Sequence, residues 1–178
     1  TKLDADAKPF KRVTARVSSA KDIVAGDVGR WHLGNPAIRR GHLHAPACDD
    51  LAGVVSALAA LDEVRAMPRM GHVGVLLTRA EEIGFVGAIA AAKGRTIPRG
   101  TRLLCLETSR SYVESPIGAG PILRVGDKAS VFGPTLTNAI ARIMDAHAAK
   151  ESFHWQRKLM PGGTCEATAF SEYGYQST

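Results

Sequence analysis

The sequence predicts an α/β fold: a mostly parallel sheet flanked by helices, preceded by part of a small β-rich module. Two near-continuous apolar runs, His72-Val73-Gly74-Val75-Leu76-Leu77 and Arg102-Leu103-Leu104-Cys105-Leu106-Glu107, read as strands buried on both faces. They alternate with segments of helical periodicity, which favours parallel strands joined by helical crossovers. The apolar fraction of 45%, with 18 glycines in 178 residues, suits one domain with a sizeable core, or one domain plus a small insertion.

Residues 1–45 form the β-rich part. Val13-Thr14-Ala15-Arg16-Val17 alternates like a half-exposed strand. Residues 22–31 read as two short strands around a Gly26-Asp27 turn, and Gly34-Asn35-Pro36 is a further turn. Residues 1–10 carry no clear pattern. The composition changes near Ala45-Pro46, and residues 46–178 form the α/β part.

Leu51, Val54, Val55, Leu58 and Leu61 follow helical spacing to about Ala66, and Met67-Pro68 ends that helix. The strand at 72–77 follows, then a helix over 84–93. Residues 97–100 turn, residues 102–107 form a strand, and residues 120–127 form a strand and a turn. A helix is expected over 134–149, with Leu136, Ile140, Ile143 and Met144 on one side. Residues 153–159 alternate as a strand. Pro161-Gly162-Gly163-Thr164 is a tight loop, and a short helix runs over 165–173.

Net charge is +6 and unevenly spread: residues 1–42 hold nine Lys/Arg against four Asp/Glu, residues 43–178 fourteen against thirteen. Aromatic residues are too sparse among the basic positions to form a base-stacking platform, so a solvated face is expected rather than a nucleic-acid surface. Cys48, Cys105 and Cys165 are odd in number and lack paired spacing, so a reducing cytoplasm is expected, with Cys105 a buried thiol. No stretch approaches the apolar length of a membrane helix. No secretory signal is visible; because residue 1 is Thr, there is room for an upstream segment that has been removed.

Acids stand at three strand or loop ends: Asp49-Asp50, Glu81-Glu82 and Glu107. Adjacent anions repel each other and are costly to desolvate unless a cation offsets them. Strand tips are where open α/β sheets bind ligands, and carboxylate oxygens suit divalent cations. Taken singly, each has an ordinary explanation. Asp49 or Asp50 can cap a helix, Glu107 can pair with Arg110, and Glu81-Glu82 can start a solvated helix whose macrodipole suits acids.

Taken together, Cys48-Asp49-Asp50-Leu51-Ala52-Gly53, Glu81-Glu82-Ile83-Gly84 with Gly87-Ala88, Leu106-Glu107-Thr108, Gly120-Pro121 with Gly126-Asp127, and Gly162-Gly163-Thr164 resemble the dinuclear metallo-aminopeptidases. They are most similar to the glutamyl and deblocking type that forms tetrahedral particles. The resemblance covers about residues 20–178 and implies a zinc-exopeptidase-like fold, peptide substrates and a homo-oligomer. It assigns Asp49 as the ligand bridging two metal ions, Glu82 and Glu107 as ligands of one ion each, and Glu81 as the general base. Asp50 falls beside the ligands. The ions are expected to be zinc or cobalt, and the reaction is hydrolysis of an N-terminal peptide bond by an activated water. Residues 1–45 match the last portion of the family's β-rich insertion, a dimerisation module.

The family also uses a His before its insertion and another after the Gly-Gly-Thr helix. The sequence starts after the first and stops before the second, so a partial chain is expected. His42 and His44 lie closest before the acidic pair, where the family's pattern places no ligand. Relatives often carry Asp at position 107 and directly after the Gly-Gly-Thr; here Glu107 and Cys165-Glu166 stand there. Glu at the first of these often accompanies carboxypeptidase or deacylase activity. The alternatives are therefore a related metallo-deacylase or carboxypeptidase, and a catalytically incomplete fragment with an assembly role.

Overall fold

The computed structural model describes residues 2–4, 12–17, 19, 21–30, 32 and 34–178. The chain divides into two units, Thr1–Pro46 and Ala47–Thr178. In the first, β1 (Lys2–Asp4) pairs antiparallel with β2 (Arg12–Thr14), so the strand expected over 13–17 is shorter and shifted. A hairpin unforeseen from the sequence joins β3 (Ala37–Arg39) to β4 (His42–His44). Its two-residue turn has positive φ at both Arg40 (51°) and Gly41 (76°), the combination that matches strand twist in tight hairpins. The two strands expected around Gly26-Asp27 are not formed over 21–30. The turn itself is closed by the Asp27 N–H on Val24 O at 3.2 Å and the Val24 N–H on Asp27 Oδ2 at 2.9 Å. Trp31, the end of that expected pair, lies outside the described residues.

The second unit carries α1 (Cys48–Arg65), α2 (Val86–Lys93), β5 (Arg102–Leu103), β6 (Ile122–Gly126), α3 (Pro134–Ala148), β7 (Gln156–Leu159), α4 (Glu166–Glu172) and β8 (Gln176–Ser177). Parallel pairing occurs as two ladders, β5 with β8 and β6 with β7, rather than as one continuous sheet. β6–α3–β7 is a crossover unit. Pro134 at the first helical position presets φ, and Leu136 and Thr137 are the buried positions of α3, which packs on β6.

The core has two centres. Ala88 and Ala92 of α2 pack with Ile97 and Phe170, and small side chains here let α2 lie close to α4. Phe132, Cys165 and Ala167 form the second, and Cys105 packs against both. Burial pushes the Cys105 thiol far above its ordinary pKa, so it is an unreactive packing group, as its apolar surroundings in the sequence imply.

Three sequence expectations are corrected, the first being the strand over 102–107: only Arg102–Leu103 is paired, and Leu104 and Leu106 are exposed because no described segment continues the ladder beside them. Residues 72–77 form no strand: Val73, Leu76 and Leu77 are exposed, and no described segment offers them a ladder partner. An apolar run becomes a strand only when a neighbour takes its backbone groups. Helix α1 forms as its periodicity requires, yet none of its residues is buried, and Leu51, Val55 and Leu58 of its apolar stripe are exposed.

Gly120 holds the crossing of the segment before β6 over the segment before β7. Its φ is +93°, and a Cβ there would run into the His154 backbone carbonyl and come within 3.1 Å of Trp155 N. The crossing is tied by Gln156, whose backbone N–H reaches Pro121 O and whose Nε2 donates to Gly120 O, both at 2.8 Å. Gly120→Ala adds a left-handed strain to a backbone clash and is expected to cost about 3 kcal/mol. A urea midpoint lowered at constant m-value checks this.

Candidate metal centre

Three chain segments bring the acids together. The first is the start of α1. Ala47 is left-handed (φ 54°), and Asp49 and Asp50 have non-helical backbone angles, so the regular helix begins after them. The Asp49–Asp50 peptide is cis. Gly53, one turn on, leaves room for the Asp50 carboxylate, which an added Cβ would strike. The adjacent acids thus stand at the helix start, where the Gly53 backbone N–H donates to the Asp50 carboxylate.

The second segment is the turn over 79–87. Backbone N–H groups of Gly84 and Phe85 both reach Glu81 O at 3.0 Å, Val86 N–H reaches Ala80 O at 3.2 Å, and Gly87 N–H reaches Arg79 O at 2.9 Å. Three positive-φ residues shape it: Ala80 (59°), Gly84 (103°) and Phe85 (58°). Gly87 is glycine because α2 starts in backbone contact with Arg79; an added Cβ would lie 2.5 Å from Arg79 O. Glu81 is half-buried and Glu82 is exposed.

The third is the segment after β5, carrying Glu107-Thr108-Ser109. Arg124, from β6, reaches across to it: Nη2 donates to Thr108 O at 2.7 Å and Ser109 Oγ at 2.8 Å. The cation beside Glu107 is therefore Arg124, and no ion pair joins Glu107 to Arg110 among the described residues.

Asp49, Asp50 and Glu107 each place a carboxylate oxygen within 4.8 Å of the others. Glu82 lies outside this group. Asp50, expected only beside the ligands, lies inside it, and its Oδ1 is buried without a hydrogen-bond partner. Burial raises the Asp50 pKa, and Asp49 adds to this, while backbone N–H groups of Gly53 and Thr108 and the Arg124 charge pull it back. Burial pushes Glu107 up to about 7 against the opposing pull of Arg124, with Glu81, Asp49 and Asp50 contributing repulsion. Glu81 is raised by burial, then by Glu82, Glu166, Asp49 and Asp50. One Arg is thus outnumbered by a convergent set of acids. A buried unpartnered carboxylate oxygen and hard oxygen donors within reach of one another fit a divalent cation.

Helix α4 adjoins the acids through Glu166, and the Gly162-Gly163-Thr164 loop leads into it. Asp127 is buried, and its carboxylate accepts from the backbone N–H of Ala129 (2.8 Å), Ser130 (3.0 Å) and Cys165 (3.0 Å) and from the Thr168 hydroxyl (2.6 Å). Lys128 N–H reaches Gly163 O at 2.9 Å. On the other side, a Cβ on Gly162 would lie 2.8 Å from the Tyr112 hydroxyl, and Lys158 sits 4.4 Å from the Tyr112 ring centroid while pairing with Glu114 at 2.6 Å. Glu166 Oε1 accepts from the Thr78 hydroxyl at 2.6 Å, which ties α4 to the segment leading into Glu81.

Arg124 was absent from the sequence-based set. A cation inside the apolar run Ile122-Leu123-Arg124-Val125 is the signal that marks it. His42 and His44 are exposed in β4 of the first unit.

The sequence matches the family model of the M42 glutamyl aminopeptidases over residues 14–177. Its fold is similar to the solved structure of PhTET1-12s, a dodecamer in the asymmetric unit, with a TM-score of 0.55 and 22% identity over 80% of this chain and 43% of that one. The chain therefore spans less than half the length of that relative. No curated protein matches the sequence. The extent of the family match, reaching from the first unit through α4, places the chain in the M42 glutamyl aminopeptidase family.

Proposed function

We propose that the protein is a metal-dependent exopeptidase that hydrolyses N-terminal peptide bonds. The observation that carries this is the group of Asp49, Asp50 and Glu107, with a buried Asp50 oxygen left without a partner. Family membership selects the reaction. Asp49, Glu82 and Glu107 would hold two divalent ions, zinc or cobalt; Glu82 is assigned from its motif, being exposed and outside the three-carboxylate group. Bound there, the ions supply polarisation of the scissile carbonyl and a lowered pKa for the attacking water.

The chain's own residues do the rest. Glu81 takes the proton from the attacking water and delivers it to the leaving amine. Its raised pKa, set by burial and neighbouring acids, suits a base that must also give the proton back. Asp50 supports Asp49 from the next position. Arg124 fixes the 107–109 segment and limits the repulsion among the acids. Residues 1–45 serve as part of a dimerisation module in a homo-oligomer working in the cytoplasm, with residues 46–178 contributing the catalytic part. No described helix is long and apolar enough to cross a membrane.

Hydrolysis of amino-acyl anilides after zinc or cobalt is restored, with N-acylated analogues left intact, is the expected result. Preference for the N-acylated analogues selects the deacylase alternative, to which Glu107 lends support. Less than one ion bound per chain after soaking with zinc selects an assembly role.

A further inference from the structure

A cavity of about 340 Å³ lies in the second unit at the C-terminal ends of α2 and α4. The N-terminal ends of the same two helices adjoin the acids, α2 through the turn carrying Glu81 and α4 through Glu166. The cavity wall carries three cations, Lys93, Arg95 and Arg99, and two tyrosines from the turn between α4 and β8, Tyr173 and Tyr175. No described acid stands on it. Among the described residues no ion pair joins any of the three cations to a carboxylate. Glu172, next to Tyr173 in sequence, is exposed and off the wall. Like charges gathered around a concavity repel one another and draw anions toward it.

The loop carrying the cations is tied down on both sides. Helix α2 closes with the Arg95 N–H on Ala92 O (3.4 Å) and the Thr96 N–H on Ala91 O (3.3 Å), a helix stop whose left-handed position is usually glycine. Here that position is Arg95 (φ 53°), while Gly94, one residue earlier, keeps a helical backbone. A left-handed arginine is a local cost, which the chain bears at a residue on the cavity wall. The same bonds, with the Gly94 N–H on Ala90 O (2.8 Å), occupy the last carbonyls of α2, which would otherwise oppose an anion. Further on, Ile97 is buried in the core and its carbonyl accepts from the Tyr175 hydroxyl at 2.9 Å, and Pro98 O accepts from the Thr101 hydroxyl at 2.7 Å. Lys93 Nζ stands 5.9 Å from the Tyr173 ring centroid.

We propose that this cavity is a binding site for a phosphoryl anion, with Arg95 and Arg99 donating to its oxygens and Lys93 adding a third positive charge. Guanidinium groups match phosphate oxygens with paired N–H bonds, and three cations are balanced better by a multiply charged anion than by a single carboxylate. Free phosphate and a nucleotide share this group; Tyr173, 40% exposed at the rim, is where a nucleotide would rest its base. None of the carboxylates of the metal centre is on the wall, so the site stands whether or not the exopeptidase reading holds.

Calorimetric titration of the metal-free full chain with inorganic pyrophosphate tests this, the metal being withheld because it would itself attract phosphate. Saturable binding with a Kd below about 1 mM is expected at an ionic strength of about 0.1 M. Arg95→Gly is expected to weaken it on the order of tenfold or more. That change removes the cation and the left-handed strain together, so the urea midpoint should hold or rise while binding is lost. Arg99→Gln should weaken binding likewise, and Arg142→Gln, at an exposed position of α3 off the wall, should leave it unchanged. ADP distinguishes the two sources. Tighter binding than pyrophosphate, lost in Tyr173→Ala, assigns a nucleotide; binding no tighter assigns the free anion. Absence of saturable binding, succinate binding as tightly as pyrophosphate, no response to Arg95→Gly and Arg99→Gln, or an equal loss in Arg142→Gln would overturn the assignment.

Discussion

Glu81→Gln is expected to lower kcat by about 10²- to 10⁴-fold, the usual contribution of a positioned general base. KM and metal content should stay unchanged. The glutamine keeps the side-chain volume and the turn over 79–87, which is built from backbone hydrogen bonds that the substitution does not touch. What disappears is the carboxylate that exchanges a proton with the reacting groups. Glu82→Gln is the informative partner, because it should instead lower metal content. If Glu81→Gln retains full activity with its metals bound, the division of labour between the adjacent glutamates is wrong.

Asp127→Ala is expected to be the most destabilising single change in the second unit, by about 3–5 kcal/mol. It removes the one acceptor shared by three backbone N–H groups and the Thr168 hydroxyl, and a buried donor left without a partner costs about 1–3 kcal/mol. Part of that cost is relieved where Ala129 reaches water. The change also cuts the ties from the turn after β6 to Cys165 and Thr168 at the start of α4, so loss of activity should track loss of stability. Burial alone would raise the Asp127 pKa, but the Thr168 hydroxyl and the N–H groups of Cys165, Ala129 and Ser130 outweigh it and hold it below the ordinary 3.8. Its contribution is therefore complete above pH 3.8 and is lost as pH falls through the lower folded value. Denaturant unfolding of wild type and variant at pH 7 and pH 3 measures this. A stability gap that fails to narrow at low pH would contradict it.

The parts of the fold with local causes were legible in the sequence. Pro134 and the spacing of Leu136 and Ile140 mark α3, and the small residues after Gly87 mark α2, because propensity and periodicity act over a single turn. Residues 72–77 were misread because strand formation depends on a partner that local pattern cannot reveal. The β3–β4 hairpin escaped notice because each strand has only three residues and its Arg40-Gly41 turn lacks the usual Asn-Gly or Asp-Gly signal. The site divides in the same way. Asp49, Glu81, Glu82 and Glu107 stand out as acids beside apolar runs. The entry of Asp50 into the cluster and the bridge from Arg124 to Thr108 and Ser109 are long-range placements, visible only once β6 lies next to the segment after β5.

The central claim is that the convergent carboxylates form a cation site. Glu107, held near 7 by burial, keeps its proton in the folded chain at pH values where an unfolded glutamate has lost it. Without metal, stability should fall as pH rises from 4.5 toward about 7, since the folded state binds more protons across that window. A divalent ion competes with the same proton. Isothermal titration of zinc into the metal-free chain between pH 5.5 and 8 is the direct measurement. The expected result is saturable binding that tightens up to about pH 7 with proton release, flattens above it, and is lost in Asp49→Asn combined with Glu107→Gln. Zinc uptake that is absent, or that survives the double substitution unchanged, would contradict the account.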